Sequence, residues 1–348
     1  MAISALRRTA PLALAANPLA GAQGSRLLSW STAEVDPGDR FDFWRTVRTD
    51  GLFGATTELA PEQRPLFSGQ FALRKFGSAD LIKLRASPHY VERGPADIAK
   101  APGDSLCIYQ QLGGGCQFWA GEADDFSITN GQFATGYSDL PYHAVPLTAD
   151  GFDFRVLKVP VAELSGPITG LHDLVAKPFS DRAELSPLLE SCFSDLTEAT
   201  DNSDPATAIA QVQTITRLAL IERGIVRPRS RAAQHAIRVG RRSLARRLIG
   251  RHIAEPQLSP NFVANLLGIS IRHLHVLFEE TNQSFAQTVT TLRIERSCRL
   301  LREAPAMTIA EIALASGFDS IATYYRVFRA HQGVTPGDLR DATIRPAA

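Results

Sequence analysis

Long apolar runs are missing. Nothing in the 348 residues approaches the ~20-residue stretch that a membrane-spanning helix requires, so a helical membrane protein is excluded. Cysteine is scarce. Cys107, Cys116, Cys192 and Cys298 form no CxxC pair, which argues against a disulfide scaffold or a zinc ribbon and suits a reducing cytosol. Histidine is thin where metal chemistry would need it. The N-terminal half carries only His89, His143 and His172, widely separated and without an HxH, so no metal site is expected. There is no GxSxG and no P-loop. Gly113, Gly114 and Gly115 are followed by no Lys-Ser/Thr and read as a turn. Cys107 and Cys116 lie in apolar stretches with no His nearby in sequence. Neither an enzyme nor a cofactor is expected. Residues 1–29 resemble an export signal only superficially: Arg7 and Arg8 precede a short apolar stretch broken by Pro11, Asn17 and Pro18. They read as a disordered tail.

Lysine is absent from the last third. From Arg229 to Ala348 there are 17 Arg and no Lys against 9 acidic residues, a balance of +8. The rest of the chain carries 20 basic and 27 acidic residues, a balance of −7, and the net charge of +1 hides the split. Length alone predicts two domains, or three. The asymmetry gives them different partners, with the basic one facing a polyanion; a solvated basic face without a partner is the plainer alternative.

Three patterns follow one another along the chain. Residues 30–180 hold short apolar runs punctuated by Gly, Pro, Asn and Asp, such as DLIKLRA (80–86), SLCIYQQL (105–112) and FDFRVLKV (152–159). These read as strands of a sandwich or barrel, with successive hairpins over 113–137. FDFWRTVRTDGLFG (41–54) has helical spacing at Phe41, Trp44, Val47 and Arg48, and predicts a helix against the sheet. Residues 181–228 then switch period. Leu185, Leu188, Leu189, Cys192, Phe193 and Leu196 form one helical stripe; Ile209, Val212, Ile215, Leu218, Ala219 and Leu220 form another. These stripes either cap the sheet domain or pair with a second copy in a homodimer. RGIVRPRSRAAQ (223–234) reads as a linker, and residues 229–348 read as all-helical.

The basic third repeats itself at about fifty residues, in LSPNFVANLLGISIRHLHVLFEETNQSF (258–285) and MTIAEIALASGFDSIATYYRVFRAHQGVTP (307–336). Ala264 and Ala313 each stand four residues before Gly268 and Gly317. Ile269 matches Phe318, Ser270 matches Ser320, and Leu274, Leu277 and Phe278 match Tyr324, Val327 and Phe328. The second copy has one extra turn residue, Asp319. Ser259 and Thr308 are N-cap candidates, Pro260 follows the first, and Glu311 completes a capping box with the second. The glycines let the backbone leave each first helix with positive φ. The next helix buries one stripe and leaves the opposite face free for a major groove, as in a helix-turn-helix.

These residues resemble the DNA-binding domain of AraC/XylS-type transcription regulators over 241–341. The most specific stretch is IAEIALASGFDSIATYYRVFRAHQGVTPGDLR (309–340), and LRIERSCRLL (292–301) is similar to that family's connecting helix. Asn282 stands where the family's first unit has Gly, and Ser297 where Ala is usual. More loosely, FDFWRTV (41–47), LCIYQQLGGGCQFWAGE (106–122), LPYH (140–143) and FRVLKVPVAEL (154–164) resemble a cupin-like, AraC-binding-like sensor domain. The resemblance implies an α+β chain, with an N-terminal cupin-like β-barrel sensor, a helical linker, and a C-terminal all-α domain with two helix-turn-helix units. It places base contacts at Ile271, Arg272, His275 and Val276 in the first unit, and at Ile321, Ala322, Tyr325 and Arg326 in the second. Arg272 and Arg326 suit guanine, because guanidinium bonds O6 and N7 together. Ile321 and Ala322 suit thymine methyls. Thr323, Arg329 and Arg340 suit phosphate, though Arg340 equally suits a structural ion pair. The resemblance further implies a cytoplasmic activator of promoter DNA, with RNA polymerase and a small-molecule effector as partners. The alternative is a ligand-independent regulator whose N-terminal half is only a dimerisation or partner-binding module.

Overall fold

A computed structural model describes residues 27–120, 125–164, 170, 172, 174–180, 184–199, 204–279 and 283–344. The expected tail lies outside the described residues as far as residue 26, while residues 27–29 already begin a strand. Two compact units are present. One joins the chain up to Phe179 with Thr197–Gln213; the other joins Ser180–Leu196 with everything from Thr214.

The first unit is built on strands. In order these are β1 (Leu27–Ser31), β2 (Thr56–Glu58), β3 (Gly69–Phe76), β4 (Ala79–Ala86), β5 (Tyr90–Arg93), β6 (Ser105–Gln111), β7 (Gly115–Trp119), β8 (Phe126–Thr129), β9 (Phe133–Tyr137), β10 (Tyr142–Pro146), β11 (Phe152–Pro160) and β12 (Lys177–Pro178). Helix α1 (Arg40–Gly51) precedes β2 and α2 (Pro95–Lys100) follows β5. The strands form two sheets, β1-β3-β4-β11-β6-β9-β12 and β2-β5-β10-β7-β8, and their pairing does not close into a barrel. The arrangement is a sheet-rich domain of two antiparallel layers.

The expected run of hairpins over 113–137 is replaced by sheet switching. Only β7 and β8 pair with each other, Gly115 opposite Thr129 and Phe118 opposite Phe126. β6 and β9 lie side by side in the other sheet. The apolar runs determine which strands end up deepest. Val156 and Leu157 of β11, and Ile108 of β6, are fully buried. One core cluster joins Leu84, Cys107 and Val156 of the larger sheet to Val91, Phe118 and Ala144 of the smaller. Phe41, Trp44 and Val47 of α1 enter the same cluster, as their helical spacing predicts.

Two buried polar groups in this unit are fully answered. The Arg93 guanidinium donates to the carbonyls of Ser138 (2.8 Å), Ala101 (2.9 Å) and Gly54, and meets Asp139 at 2.9 Å. Burial pushes the Asp139 carboxyl up, but the Asp104 and Gly103 N–H groups and Arg93 outweigh it and hold it below its ordinary value. His89 donates from Nδ1 to the Ser87 carbonyl at 2.8 Å and accepts at Nε2 from the Trp44 indole N–H at 3.3 Å. Both bonds suit the neutral ring. Burial, reinforced by the Arg48 charge against the Ser87 bond, lowers its pKa to about 4. His143 stacks on Trp119 with ring centres 4.5 Å apart, and His172 meets the edge of Tyr137, so the three histidines of this half occupy separate places.

Cys107 and Cys116 are buried thiols. Burial raises Cys107 to about 11 and Cys116 higher still, so neither supplies a thiolate near neutral pH.

The second unit is helical: α3 (Ser186–Glu198), α4 (Pro205–Glu222), α5 (Arg231–Arg251), α6 (Pro260–Leu266), α7 (Ile271–Glu279), α8 (Phe285–Glu303), α9 (Ile309–Ala315), α10 (Ile321–Gln332) and α11 (Pro336–Ile344). The division between units falls within α3 and α4. Leu188, Leu189, Cys192 and Phe193 on α3, and Ile215, Leu218 and Ala219 on α4, are buried inside the chain. These parts of the two stripes are therefore already covered without a second copy. Gly240 lets α5 approach closely: a Cβ there would stand 3.0 Å from Leu188 and 3.2 Å from Leu218. Among the described residues no helix is long and apolar enough to cross a membrane.

The neutral His89 gives the fold a pH signature. Its unfolded pKa lies near 6.5 and its folded pKa near 4, so between those values the unfolded chain binds more protons. Its contribution to stability is complete above pH 6.5 and is lost as pH falls through the folded value. Thermal unfolding of the full chain should show the melting temperature falling across that window, and His89→Gln should flatten the slope. Equal slopes in both proteins would contradict the assignment.

Candidate nucleic-acid interface

Each helix-turn-helix begins with a capped helix. Ser259 accepts the Phe262 N–H at 3.2 Å at the start of α6, with Pro260 in the first turn. At the start of α9, Thr308 accepts the Glu311 N–H at 3.2 Å and Glu311 accepts the Thr308 N–H at 2.7 Å, completing the capping box. The two turns then close identically. The Ile269 N–H reaches the Ala264 carbonyl at 3.0 Å, and the Phe318 N–H reaches the Ala313 carbonyl at 3.0 Å. Gly268 (φ +63°) and Gly317 (φ +87°) take the left-handed conformation that this closure needs. Ser270 and Ser320 cap the helices that follow, accepting from His273 (3.2 Å) and Thr323 (3.4 Å). Ala264 and Ala313 are buried where the paired helices meet.

Burial then sorts the faces of α7 and α10. Leu274, Leu277 and Phe278 are buried on α7, and Tyr324 and Phe328 on α10; Val327 is half-buried against the same cluster. The ten residues expected to meet DNA all lie outside these stripes and are exposed: Ile271, Arg272, His275 and Val276 on α7, and Ile321, Ala322, Thr323, Tyr325, Arg326 and Arg329 on α10. Four of them are large apolar or aromatic side chains left in water, with Ile271 43% and Ile321 48% exposed beside Val276 and Tyr325. An apolar group held on an exposed helix face among arginines suits a partner surface.

Ser297, set apart above only as a departure from Ala, has a specific contact. Its hydroxyl meets the Tyr324 hydroxyl at 2.6 Å, with both side chains fully buried. The bond ties the connecting helix α8 to the core face of α10. The departure at Asn282 lies outside the described residues. Arg340 on α11 is half-buried, with Nε and Nη2 shielded from water and unpaired.

The arginines of α5 are less free than their density suggests. Arg238, Arg241, Arg242, Arg246 and Arg247 are half-buried, and only Arg231 and Arg251, at the two ends of the helix, are exposed. Arg247 pairs with Asp195 of α3 at 3.8 Å, and the Ser243 hydroxyl donates to the same carboxylate. Part of the basic charge therefore holds helices together.

The two turns should tolerate change unequally. At Gly268 an added Cβ meets nothing within 4 Å, so Gly268→Ala costs only the left-handed strain, about 1–2 kcal/mol. At Gly317 a Cβ would stand 2.2 Å from the Ile253 carbonyl oxygen. Gly317→Ala should therefore lower the melting temperature of the full chain several degrees further than Gly268→Ala, measured by circular dichroism. Equal effects would contradict the packing described.

Comparison with known proteins agrees with this geometry. Residues 263–342 match the helix-turn-helix domain family. The transcriptional activator NphR of Rhodococcus sp is 23% identical over 336 residues, covering 92% of this chain and 94% of NphR. The HTH-type transcriptional regulator GlxA of Rhizobium meliloti is 39% identical over 87 residues, 25% of this chain and 26% of GlxA. Among solved structures, the AraC-like transcriptional activator CuxR superposes with a TM-score of 0.50 at 19% identity, covering 84% of this chain and 100% of CuxR, a likeness of fold. Residues 263–342 form a helix-turn-helix domain, and along nearly its whole length the chain is similar to a transcriptional activator.

Proposed function

We propose that the chain activates transcription from promoter DNA, with α7 and α10 as its two recognition helices and the sheet-rich unit as a cupin-like effector domain. The observation that carries the reading is the exposed face shared by Arg272, His275, Tyr325 and Arg326 across two identically closed turns. The activator role is supported by similarity to NphR along nearly the whole of both chains. The effector role of the first unit is supported by a cavity inside its sandwich, walled on both sides by aromatic rings.

In this reading the ten exposed residues divide the work. Arg272 and Arg326 take guanine through paired hydrogen bonds. Ile321 and Ala322 meet thymine methyls, and Ile271 and Val276 lie against base edges. Thr323 and Arg329 hold phosphate, which sets register without reading sequence. An effector changes DNA binding only through a difference in its own affinity for two states of the chain.

Arg326→Ala should weaken binding to the specific site by ~1–3 kcal/mol and relax the preference at one base pair, read by anisotropy titration of the full chain at fixed salt. Unchanged affinity and selectivity would remove Arg326 from the interface.

A further inference from the structure

Arg48 lies on the inward stripe of α1 with Phe41, Trp44 and Val47, and is 4% exposed. Its Nη1 is buried without a hydrogen-bond partner. It forms no ion pair among the described residues. The side chain lines a small cavity of about 30 Å³ within the sandwich, together with Leu84, Val91, Tyr109, Phe118 and Tyr142. Arg93 shows how this fold treats a guanidinium that serves structure: it receives three carbonyls and a carboxylate. Arg48 is given the Tyr142 hydroxyl and, among the described residues, no carboxylate.

A buried guanidinium cannot shed its proton, so its charge stays in the cavity. Leaving a buried charge unpaired is costly, and a planar carboxylate is the group whose geometry matches it best. The rest of the wall is chiefly apolar, with the Tyr109 and Tyr142 hydroxyls as the other polar groups besides neutral His89. One cation in such a wall suits a single negative charge on an apolar body, and offers too few donors for a phosphate. The volume, room for roughly two waters, favours a short body.

We propose that this cavity binds a small organic carboxylate, with Arg48 as the anchor of its charged end. The inference rests on the reading of the first unit as an effector domain, and names the class of effector. Arg48 is the residue through which an occupied cavity would act on α1, since the helix carries the anchor.

Calorimetric titration of the full chain with formate, acetate and propionate, each beside its uncharged amide, tests the inference. At least one carboxylate should bind ten-fold or more tightly than its amide and raise the melting temperature. Arg48→Met, checked for folding by circular dichroism, should bind that carboxylate no better than the amide; Arg48→Lys should keep part of the difference. Binding that ignores charge, absence of binding by every carboxylate, or an unchanged difference in a folded Arg48→Met would overturn it. The wild-type comparison stands even if Arg48→Met does not fold. Anisotropy with promoter DNA separates the two readings. Carboxylate binding that depends on Arg48 but leaves DNA affinity and transcription unchanged upholds the site and refutes the effector role. Amides that bind as well as acids and alter DNA affinity do the reverse.

Discussion

Burial of a single stripe on each second helix decides where the other stripe points. Leu274, Leu277 and Phe278 on α7, and Tyr324 and Phe328 on α10, are driven out of water, and helical geometry then leaves Arg272, His275, Tyr325 and Arg326 on the opposite side. The caps and turns fix the angle at which this happens. Ser259 and Thr308 start the first helices, Gly268 and Gly317 end them, and Ser270 and Ser320 start the second. Because the turns close with the same bond between residues five apart, two unlike sequences present the same kind of face. The hydroxyl pair Ser297–Tyr324 adds a directional contact to this packing. It pins α10 to α8 at a point where an apolar pair would leave rotation freer.

Charge acts in two ways in this chain. The arginines of α7 and α10 stand in water, available to a polyanion, whereas Arg247 on α5 is engaged with Asp195. The sheet-rich unit repeats the contrast in its interior. Arg93 is saturated with acceptors and staples the loops around Asp139, while Arg48 keeps a donor unsatisfied beside a cavity. An unpaired buried charge is a cost to the fold, and such costs gather at sites of function.

What the sequence revealed was what is local. Caps, glycine turns and three- and four-residue spacing depend on neighbours along the chain, so α6, α7, α9 and α10 were legible with their exposed faces. The helix at 41–54 was legible for the same reason, and its spacing already put Arg48 on the inward side. Strand pairing is not local. That β11 lies between β4 and β6, and that β6 and β9 pair across an intervening hairpin of the other sheet, depends on contacts far apart in sequence. Successive short strands read as hairpins in a barrel, and the structure instead separates them into two layers. The division of α3 and α4 between units was equally hidden, since an amphipathic stripe states that it will be covered but not by what. That Arg48 meets no carboxylate among the described residues depends on contacts far apart in sequence, which no motif announces.

The central claim is that two recognition faces on one chain read one stretch of duplex. Hydroxyl-radical footprinting of the full chain on its promoter tests it most directly. The account predicts two protected patches on the same side of the duplex, about 10 base pairs or ~34 Å apart, with Arg272→Ala weakening one and Arg326→Ala the other. A single patch, or two patches that both ignore one of the arginines, would contradict it.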